Sequence, residues 1–119
     1  GKIKQVLMDQ NIIAGIGNIY SDEILFEAKI HPFKEVSKLK GGELKKIYQA
    51  IREILPKAIE VGGESISDFR RISGERGGFD SLRMVYRREG EKCRRCRTII
   101  KRVKLGGRSA HFCPNCQKL

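Results

Sequence analysis

Apolar residues recur every three or four positions in three stretches of the chain, the period expected of helices that bury one face. The first stretch joins Ile3, Val6, Leu7, Ile13 and Ala14. It ends at Gly15-Ile16-Gly17, because glycine tolerates the left-handed backbone of a helix end. The second runs from about Ile19 to Ala28, with Asn18 as an N-cap, and His31-Pro32 stops it. The chain therefore opens as helix, tight double turn, helix.

The third stretch, from about Gly42 to Val61, has the clearest period in the chain. Its apolar positions are Leu44, Ile47, Tyr48, Ile51, Ile54, Leu55, Ala58 and Ile59. They predict a long helix that packs against the first two, with a kink at Pro56 because proline lacks a backbone donor. A short helix is expected after Ser37. Residues 63–80 are rich in glycine and poor in apolar residues, which predicts a flexible, exposed loop.

The C-terminal part of the chain shows strands instead of this helical period. Thr98-Ile99-Ile100 and Ala110-His111-Phe112 suit two strands, with Gly106-Gly107 as the turn between them. We therefore predict a mainly α fold with a small β appendage. A helical domain spans residues 1–86, and a β-hairpin spans residues 87–119.

All four cysteines lie at the two ends of this hairpin. Cys93 and Cys96 form one Cys-x-x-Cys turn, and Cys113 and Cys116 form a second turn after a spacer of sixteen residues. Two such turns supply the thiolates of a closed tetrahedral zinc site. Two disulfides are the alternative, but the strong basicity and the lack of a visible signal peptide argue against them. We predict one structural Zn²⁺, with neither histidine of the chain as a ligand.

Positive charge is concentrated in the hairpin. The chain carries 25 Lys and Arg against 14 Asp and Glu, a net charge of +11, and residues 87–119 hold 11 of the basic and 2 of the acidic residues. Such a module suits a polyanion, with nucleic acid as the leading candidate. An anionic membrane surface is the alternative, but no transmembrane or lipidation signal supports it. With no targeting segment visible, we expect a cytoplasmic monomer.

Asp22 and Glu23 are interpreted as favourable charges in the early turns of a helix, not as a catalytic pair.

Three blocks of residues carry a resemblance to a known family. The first runs from Leu7-Met8-Asp9-Gln10 through Gly15-Ile16-Gly17-Asn18-Ile19-Tyr20 to Ile30-His31-Pro32; the second is Gly62-Gly63-Glu64-Ser65 with Asp68-Phe69; the third is Val85-Tyr86, the two cysteine turns and Gly107-Arg108-Ser109. In this order they resemble the C-terminal half of the formamidopyrimidine-DNA glycosylases, bacterial base-excision repair enzymes. The resemblance implies a helix-two-turns-helix domain followed by a zinc finger. It also implies a double-stranded DNA partner that contains damaged bases or abasic sites.

The resemblance also implies what the whole protein does. Members of this family act as glycosylase and abasic-site lyase on oxidised purines such as formamidopyrimidine and 8-oxoguanine. Their catalytic amine is an N-terminal proline on a separate β-rich domain, whereas this chain starts with Gly1-Lys2. We therefore expect the DNA-binding half of a larger enzyme, inactive by itself and without a catalytic residue. A stand-alone DNA-binding module, or a zinc ribbon that docks on protein, are the alternatives.

Five residues are predicted to bind DNA from the family match. Asn18 is expected to contact a phosphate beside the lesion, and Arg108 the phosphate next to the flipped nucleotide. Lys4 matches a lysine that approaches the DNA backbone, and Gly17 and Tyr20 complete the set. The plainer interpretations are a helix cap for Asn18 and solvated side chains for Arg108 and Lys4.

A further block, residues 70–78, matches the loop that in this family can cover an extruded base; a disordered surface loop is the alternative. The residues of interest there are Arg70, Arg71, Ser73, Gly74, Gly77 and Gly78. The chain departs from the family pattern at three positions near the finger. Arg87 and Arg97 stand where glycine is common, and Lys92 stands where proline is common, so the local turn geometry there needs a structural test.

Overall fold

The described chain folds as three helices followed by one β-hairpin. The computed structural model describes residues 1–9, 17–60 and 83–119, with the backbone alone for 55–60. The elements are α1 (Ile3–Met8), α2 (Asn18–Ala28), a 3₁₀ turn (Val36–Lys38), α3 (Gly41–Glu60), β1 (Lys101–Leu105) and β2 (Arg108–Phe112). The predicted fold class is confirmed. The predicted loop at 63–80 lies outside these residues.

The first helix is shorter than predicted. α1 ends at Met8, because the backbone of Asp9 is extended (φ −73°, ψ 109°). The prediction that the helix continues without a break is therefore wrong. Ile13 and Ala14, which it included, lie outside the described residues.

The second helix ends at the predicted residue, but the residues that cap its two ends differ from the prediction. Gly17, not Asn18, is its N-cap, with an extended backbone (φ −100°, ψ −169°). At the other end Lys29 adopts the left-handed conformation (φ 61°), and its amide donates to carbonyls of the last turn. The helix therefore stops at Ala28 through Lys29 and not through His31-Pro32.

α2 is the centre of the helical core. Nine of its eleven residues are buried, so it has no face reserved for solvent. The buried apolar residues of this core come from all three helices, from the segment after α2 and from the chain that enters the finger: Ile3, Leu7, Ile19, Tyr20, Ile24, Leu25, Ala28, Ile30, Ile47, Ala50 and Tyr86. Each buried Ile or Leu side chain stabilises the fold by roughly 1.5–3 kcal/mol. Two carboxylates, those of Asp22 and Glu23, are buried with this core.

α3 packs on α2 through a narrower stripe than predicted. Its bounds agree with the prediction to within one residue at each end. Ile47 and Ala50 are buried, but Leu44 is 49% exposed and Tyr48 is 61% exposed. The kink at Pro56 stays a prediction. No helix among the described residues is both long enough and apolar enough to cross a membrane.

The hairpin has the predicted turn but a shifted first strand. β1 and β2 are antiparallel, with Lys101 opposite Phe112 and Leu105 opposite Arg108, and Gly106 takes a positive φ of 63° in the turn. Residues 98–100 do not pair with β2. The amide of Ile100 donates to Glu91 and its carbonyl accepts from Gly90, so this segment folds back on the first cysteine turn.

A second apolar cluster joins the hairpin to α2. It consists of Phe26, Val85, Cys93, Ile100 and Cys113, all buried. Phe26 belongs to α2, and the other four residues belong to the finger and the segment that leads into it. The finger is therefore packed against the central helix and shares its burial.

Candidate zinc site and nucleic-acid interface

The four cysteines come together at the open end of the hairpin. Their Sγ atoms all lie within 4.8 Å of one another, with 3.3 Å between Cys96 and Cys113 and 3.9 Å between Cys93 and Cys116. Four sulfurs at about 2.3 Å from a tetrahedral zinc ion are separated by about 3.8 Å, whereas a disulfide requires about 2.05 Å. The thiols are free of disulfides and are positioned to bind one zinc ion.

The surroundings of the thiols differ, and a metal ion would compensate for the difference. Hydrogen bonds from Thr98 lower the pKa of the Cys96 thiol to about 5, whereas burial raises the pKa of Cys113 to about 12. Backbone amides donate to two of the sulfurs at 3.4 Å. A divalent cation provides the positive charge that allows all four thiols to ionise. A zinc ion bound by these thiols would therefore be part of the electrostatic balance of the finger.

Two polar side chains fasten the cysteine turns to α2 and the residues after it. The guanidinium carbon of Arg95 lies 3.8 Å from the centroid of the Phe26 ring, and its Nη2 donates to the Phe26 carbonyl at 2.8 Å. Gln117 donates through Nε2 to the Ile30 carbonyl at 3.0 Å and accepts through Oε1 from the Cys113 amide at 2.8 Å. These contacts fix the orientation of the finger.

Glu23 holds the segment that enters the finger. Its Oε1 accepts from the amide of Met84 at 2.8 Å, and its Oε2 accepts from the amides of Val85 and Tyr86, both at 2.9 Å. Burial raises the pKa of Glu23, and the three N–H donors oppose that rise. The carboxylate thus supplies acceptors to a largely buried backbone turn that pairs with no strand of the described residues.

Asp22 links three elements of the fold. Its Oδ1 accepts from Nζ of Lys4 on α1 at 2.5 Å. Its Oδ2 accepts from the backbone amide of His111 on β2 at 3.1 Å and lies 2.8 Å from His111 Nδ1. All three side chains are buried. The predicted interpretation of Asp22 and Glu23 as early-turn charges is wrong: neither is in the first turn of α2, and both bind the C-terminal part of the chain.

The same ammonium orients Asn18. Lys4 Nζ also donates to Asn18 Oδ1 at 2.6 Å and to Ser21 Oγ at 3.2 Å. Burial lowers the pKa of Lys4, the Asp22 carboxylate opposes that change, and the nearby Arg108 adds to it. Because the amide oxygen of Asn18 faces a cation, its NH₂ group is the part left to donate to a further ligand.

A cleft of about 680 Å³ opens beside this network. Its walls come from the start of α2, from the segment after Tyr86 and from the hairpin: Asn18, Tyr86, Arg87, Glu89, Arg102, Gly107, Arg108, Ser109 and His111. The acid among them, Glu89, is paired with Arg102 at 3.3 Å. The cleft is therefore cationic, with arginine forks and an amide available for an anion.

The structure places two predicted DNA-binding residues in this cleft and the other three outside its lining. Asn18 and Arg108 line this cleft. Lys4 is buried and borders a smaller pocket of about 310 Å³, and Tyr20 is buried in the core. Gly17 is exposed, and a Cβ there would meet no atom of the described chain within 4 Å. The DNA contacts themselves stay predictions.

The predicted loop residues lie outside the described part of the chain. They are Arg70, Arg71, Ser73, Gly74, Gly77 and Gly78.

The departures from the family pattern have a clear structural counterpart. Arg87 and Arg97, which stand where glycine is common, have φ of 55° and 67°. The left-handed region costs a residue with a Cβ roughly 1–2 kcal/mol. Lys92 instead forms an isolated bridge with Ile99. The finger therefore keeps a glycine-type turn geometry at two positions that carry arginine.

The fold and the thiol cluster define a class, a helical domain with a four-cysteine zinc finger docked on its central helix. Residues 1–70 match the model of the formamidopyrimidine-DNA glycosylase H2TH domain, and residues 90–119 match that of the zinc finger found in FPG and IleRS. The chain therefore belongs to the formamidopyrimidine-DNA glycosylase H2TH family. The resemblance drawn from the sequence blocks and the structural zinc site are both confirmed.

Individual relatives agree with the family match. The chain is 50% identical over 116 residues to the formamidopyrimidine-DNA glycosylase of Prochlorococcus marinus subsp. pastoris and 48% identical over 115 residues to that of Synechocystis sp.. These alignments cover 98% and 97% of the chain and 40% of each relative, so the chain spans about 40% of the length of the curated relatives it matches.

Solved structures are similar over the same range. One is a complex of Lactococcus lactis Fpg with DNA that contains an abasic site, at 45% identity and a TM-score of 0.86. Another is a complex of the same enzyme with DNA that contains FAPY-dG, at 44% identity and a TM-score of 0.87. Each alignment covers 99% of this chain and 42% of the solved chain.

Proposed function

We propose that this chain grips duplex DNA that contains damaged bases or abasic sites. It does so as the DNA-binding part of a glycosylase and abasic-site lyase that acts on oxidised purines. The observation that carries the proposal is the cationic cleft in which Asn18 and Arg108 meet. The similar structures of Lactococcus lactis Fpg contain DNA with an abasic site or FAPY-dG, which supports the same partner for this chain.

Four of the predicted DNA-binding residues are given roles that their chemistry allows. Arg108 offers a planar fork to the oxygens of one phosphate. Asn18 donates through its NH₂ group, because Lys4 Nζ occupies its oxygen at 2.6 Å. Lys4 is therefore assigned a positioning role, and the exposed backbone of Gly17 is assigned to a place close to the phosphate. Contact of residues 70–78 with the extruded base stays a prediction.

Chemistry on the base is assigned to residues outside this chain. No side chain of the described residues is proposed as the attacking amine: Lys4 is buried and engaged with Asp22. The zinc ion holds the cysteine turns in place and takes no part in the reaction. The chain alone should therefore bind DNA without releasing a base.

The test is a salt titration of DNA binding by the zinc-loaded chain, followed by fluorescence anisotropy of a labelled duplex. If roughly five to seven phosphates are neutralised, log Kobs should fall with log salt at a slope of about −4.5 to −6. Arg108→Ala and Asn18→Ala should each weaken binding by roughly 5- to 20-fold, as expected for a lost charge-assisted contact.

The matched control is Arg52→Ala on α3, because Arg52 is exposed and does not line the cleft. It removes the same charge and should change affinity less than about two-fold. Equal losses for Arg108→Ala and Arg52→Ala would contradict a defined phosphate site, and a flat salt response would contradict nucleic acid as the partner. Base release by the chain alone would show that the chemistry is wrongly assigned.

A further inference from the structure

Arg87 occupies a place in the cleft that the family resemblance leaves to glycine. Its backbone is left-handed (φ 55°), its side chain is exposed, and it lines the same cleft as Asn18 and Arg108. The guanidinium carbon lies 5.4 Å from the centroid of the Tyr86 ring. This ring is buried and packs edge-on against His111 at 5.0 Å, so it is a fixed support.

The charge of Arg87 is available to a ligand. Arg102, the third arginine of the cleft, is paired with Glu89. Within the described part of the chain, neither the side chain of Arg87 nor that of Arg108 has a hydrogen-bonded or ionic partner. A guanidinium that rests on an aromatic face loses less freedom when it binds, and its fork suits phosphate oxygens. The cleft, at about 680 Å³, is also larger than one phosphate group needs.

We propose that Arg87 binds a phosphate of the DNA backbone in addition to the one assigned to Asn18 and Arg108. This inference rests on the proposed function, since it adds one contact to the same cleft. In the left-handed backbone conformation of this position, arginine is less favourable than glycine. The additional phosphate contact offsets that cost when DNA is bound. The contact is specific to chains that carry arginine in place of glycine.

The experiment compares two arginines that share the same backbone strain. Arg97 is also left-handed (φ 67°) and exposed, but it belongs to the first cysteine turn and does not line the cleft. Arg87→Gly and Arg97→Gly therefore remove the same charge and restore the same residue. Duplex affinity is measured for the zinc-loaded chain from 50 to 200 mM salt, with zinc content and circular dichroism as checks of folding.

Arg87→Gly should weaken binding by about 3- to 10-fold and reduce the salt slope by about 0.9, the value for one phosphate. Arg97→Gly should stay within about two-fold with an unchanged slope. Equal behaviour of the two variants would overturn the inference. Arg108→Ala distinguishes failure of the Arg87 contact from failure of the proposed function. If Arg108→Ala weakens binding while Arg87→Gly matches Arg97→Gly, only the Arg87 contact is wrong. If the unaltered chain does not bind duplex at all, the proposed function fails.

Discussion

Replacing Asp22 with Asn tests how much the buried ion pair of Lys4 and Asp22 contributes to the stability of the fold. The Asp22 carboxylate accepts from Lys4 Nζ at 2.5 Å and from the backbone amide of His111 at 3.1 Å, and it lies 2.8 Å from Nδ1 of the His111 ring. Asparagine has the same shape but one oxygen instead of two and no charge. Whichever way its amide turns, an NH₂ group faces either the ammonium or the His111 amide. The substitution therefore breaks the pair without creating a cavity.

The expected cost follows from what remains around Lys4. Its ammonium keeps Asn18 Oδ1 at 2.6 Å and Ser21 Oγ at 3.2 Å, but it loses the only carboxylate that binds it among the described residues. Removing one partner of a buried ion pair costs about 3–5 kcal/mol. In the double variant Lys4→Met with Asp22→Asn, both charges are gone. We expect that variant to be roughly 2–3 kcal/mol more stable than Asp22→Asn. The single variant Lys4→Met completes the cycle, which then gives the coupling free energy of the pair.

The stability difference between the wild type and Asp22→Asn should also change with pH in a defined direction. Burial holds the pKa of folded Lys4 below 10.5, so between that pKa and 10.5 the unfolded chain binds more protons and stability rises with pH. Loss of the Asp22 carboxylate lowers this pKa further, so the rise begins at lower pH in the variant. The stability difference between the two proteins should therefore shrink from pH 7 to pH 9.5.

Urea unfolding at fixed free zinc, followed by circular dichroism, measures these free energies. The double-mutant cycle serves as the control for the lost shape and packing. A loss below about 1 kcal/mol for Asp22→Asn, or a difference that grows with pH, would refute the reasoning from the buried pair.

Two further predictions concern the finger and its attachment. Metal analysis should give about one zinc per chain, and a strong chelator should abolish the structure of the finger; a folded sample with intact cysteines and no metal would contradict this. Glu23→Gln should destabilise the fold by roughly 2–3 kcal/mol, because one oxygen that accepts an amide becomes an NH₂ group, whereas Glu27→Gln on the exposed side should be neutral. Because the pKa of Glu23 is raised above 4.5 in the folded chain, the free energy of unfolding of the wild type should increase as the pH falls through that pKa. Glu23→Gln should lack this increase. Identical pH profiles of the two proteins in urea unfolding would contradict the raised pKa of Glu23.

The sequence predicted the features that depend on local pattern. The cysteine spacing is enough to predict the thiol cluster, because each Cys-x-x-Cys turn places two sulfurs on one side of the chain. The apolar period predicts α3 to within one residue at each end. The Gly106-Gly107 turn is also local, since a positive φ at Gly106 requires no distant partner.

The rest depended on contacts between distant residues. Asp22 was interpreted from its place near the start of a helix, but its partners lie 18 residues before it and 89 residues after it. Strand propensity at 98–100 could not show that Ile100 pairs with residues 90 and 91. A usable signal was present in α2, where adjacent acids interrupt an apolar helix and thus require buried partners. The two left-handed arginines could be suspected only from the family pattern.

The position of α2 constrains the order in which the chain can be completed during synthesis. Its two buried carboxylates receive their partners from residues 84–86 and from His111, near the C-terminal end of the sequence. At about 5–20 residues per second, roughly 4–18 s separate translation of Asp22 from that of His111. During this interval the carboxylates of the helix lack these amide donors, so its polar contacts can be completed only after β2 has been synthesised.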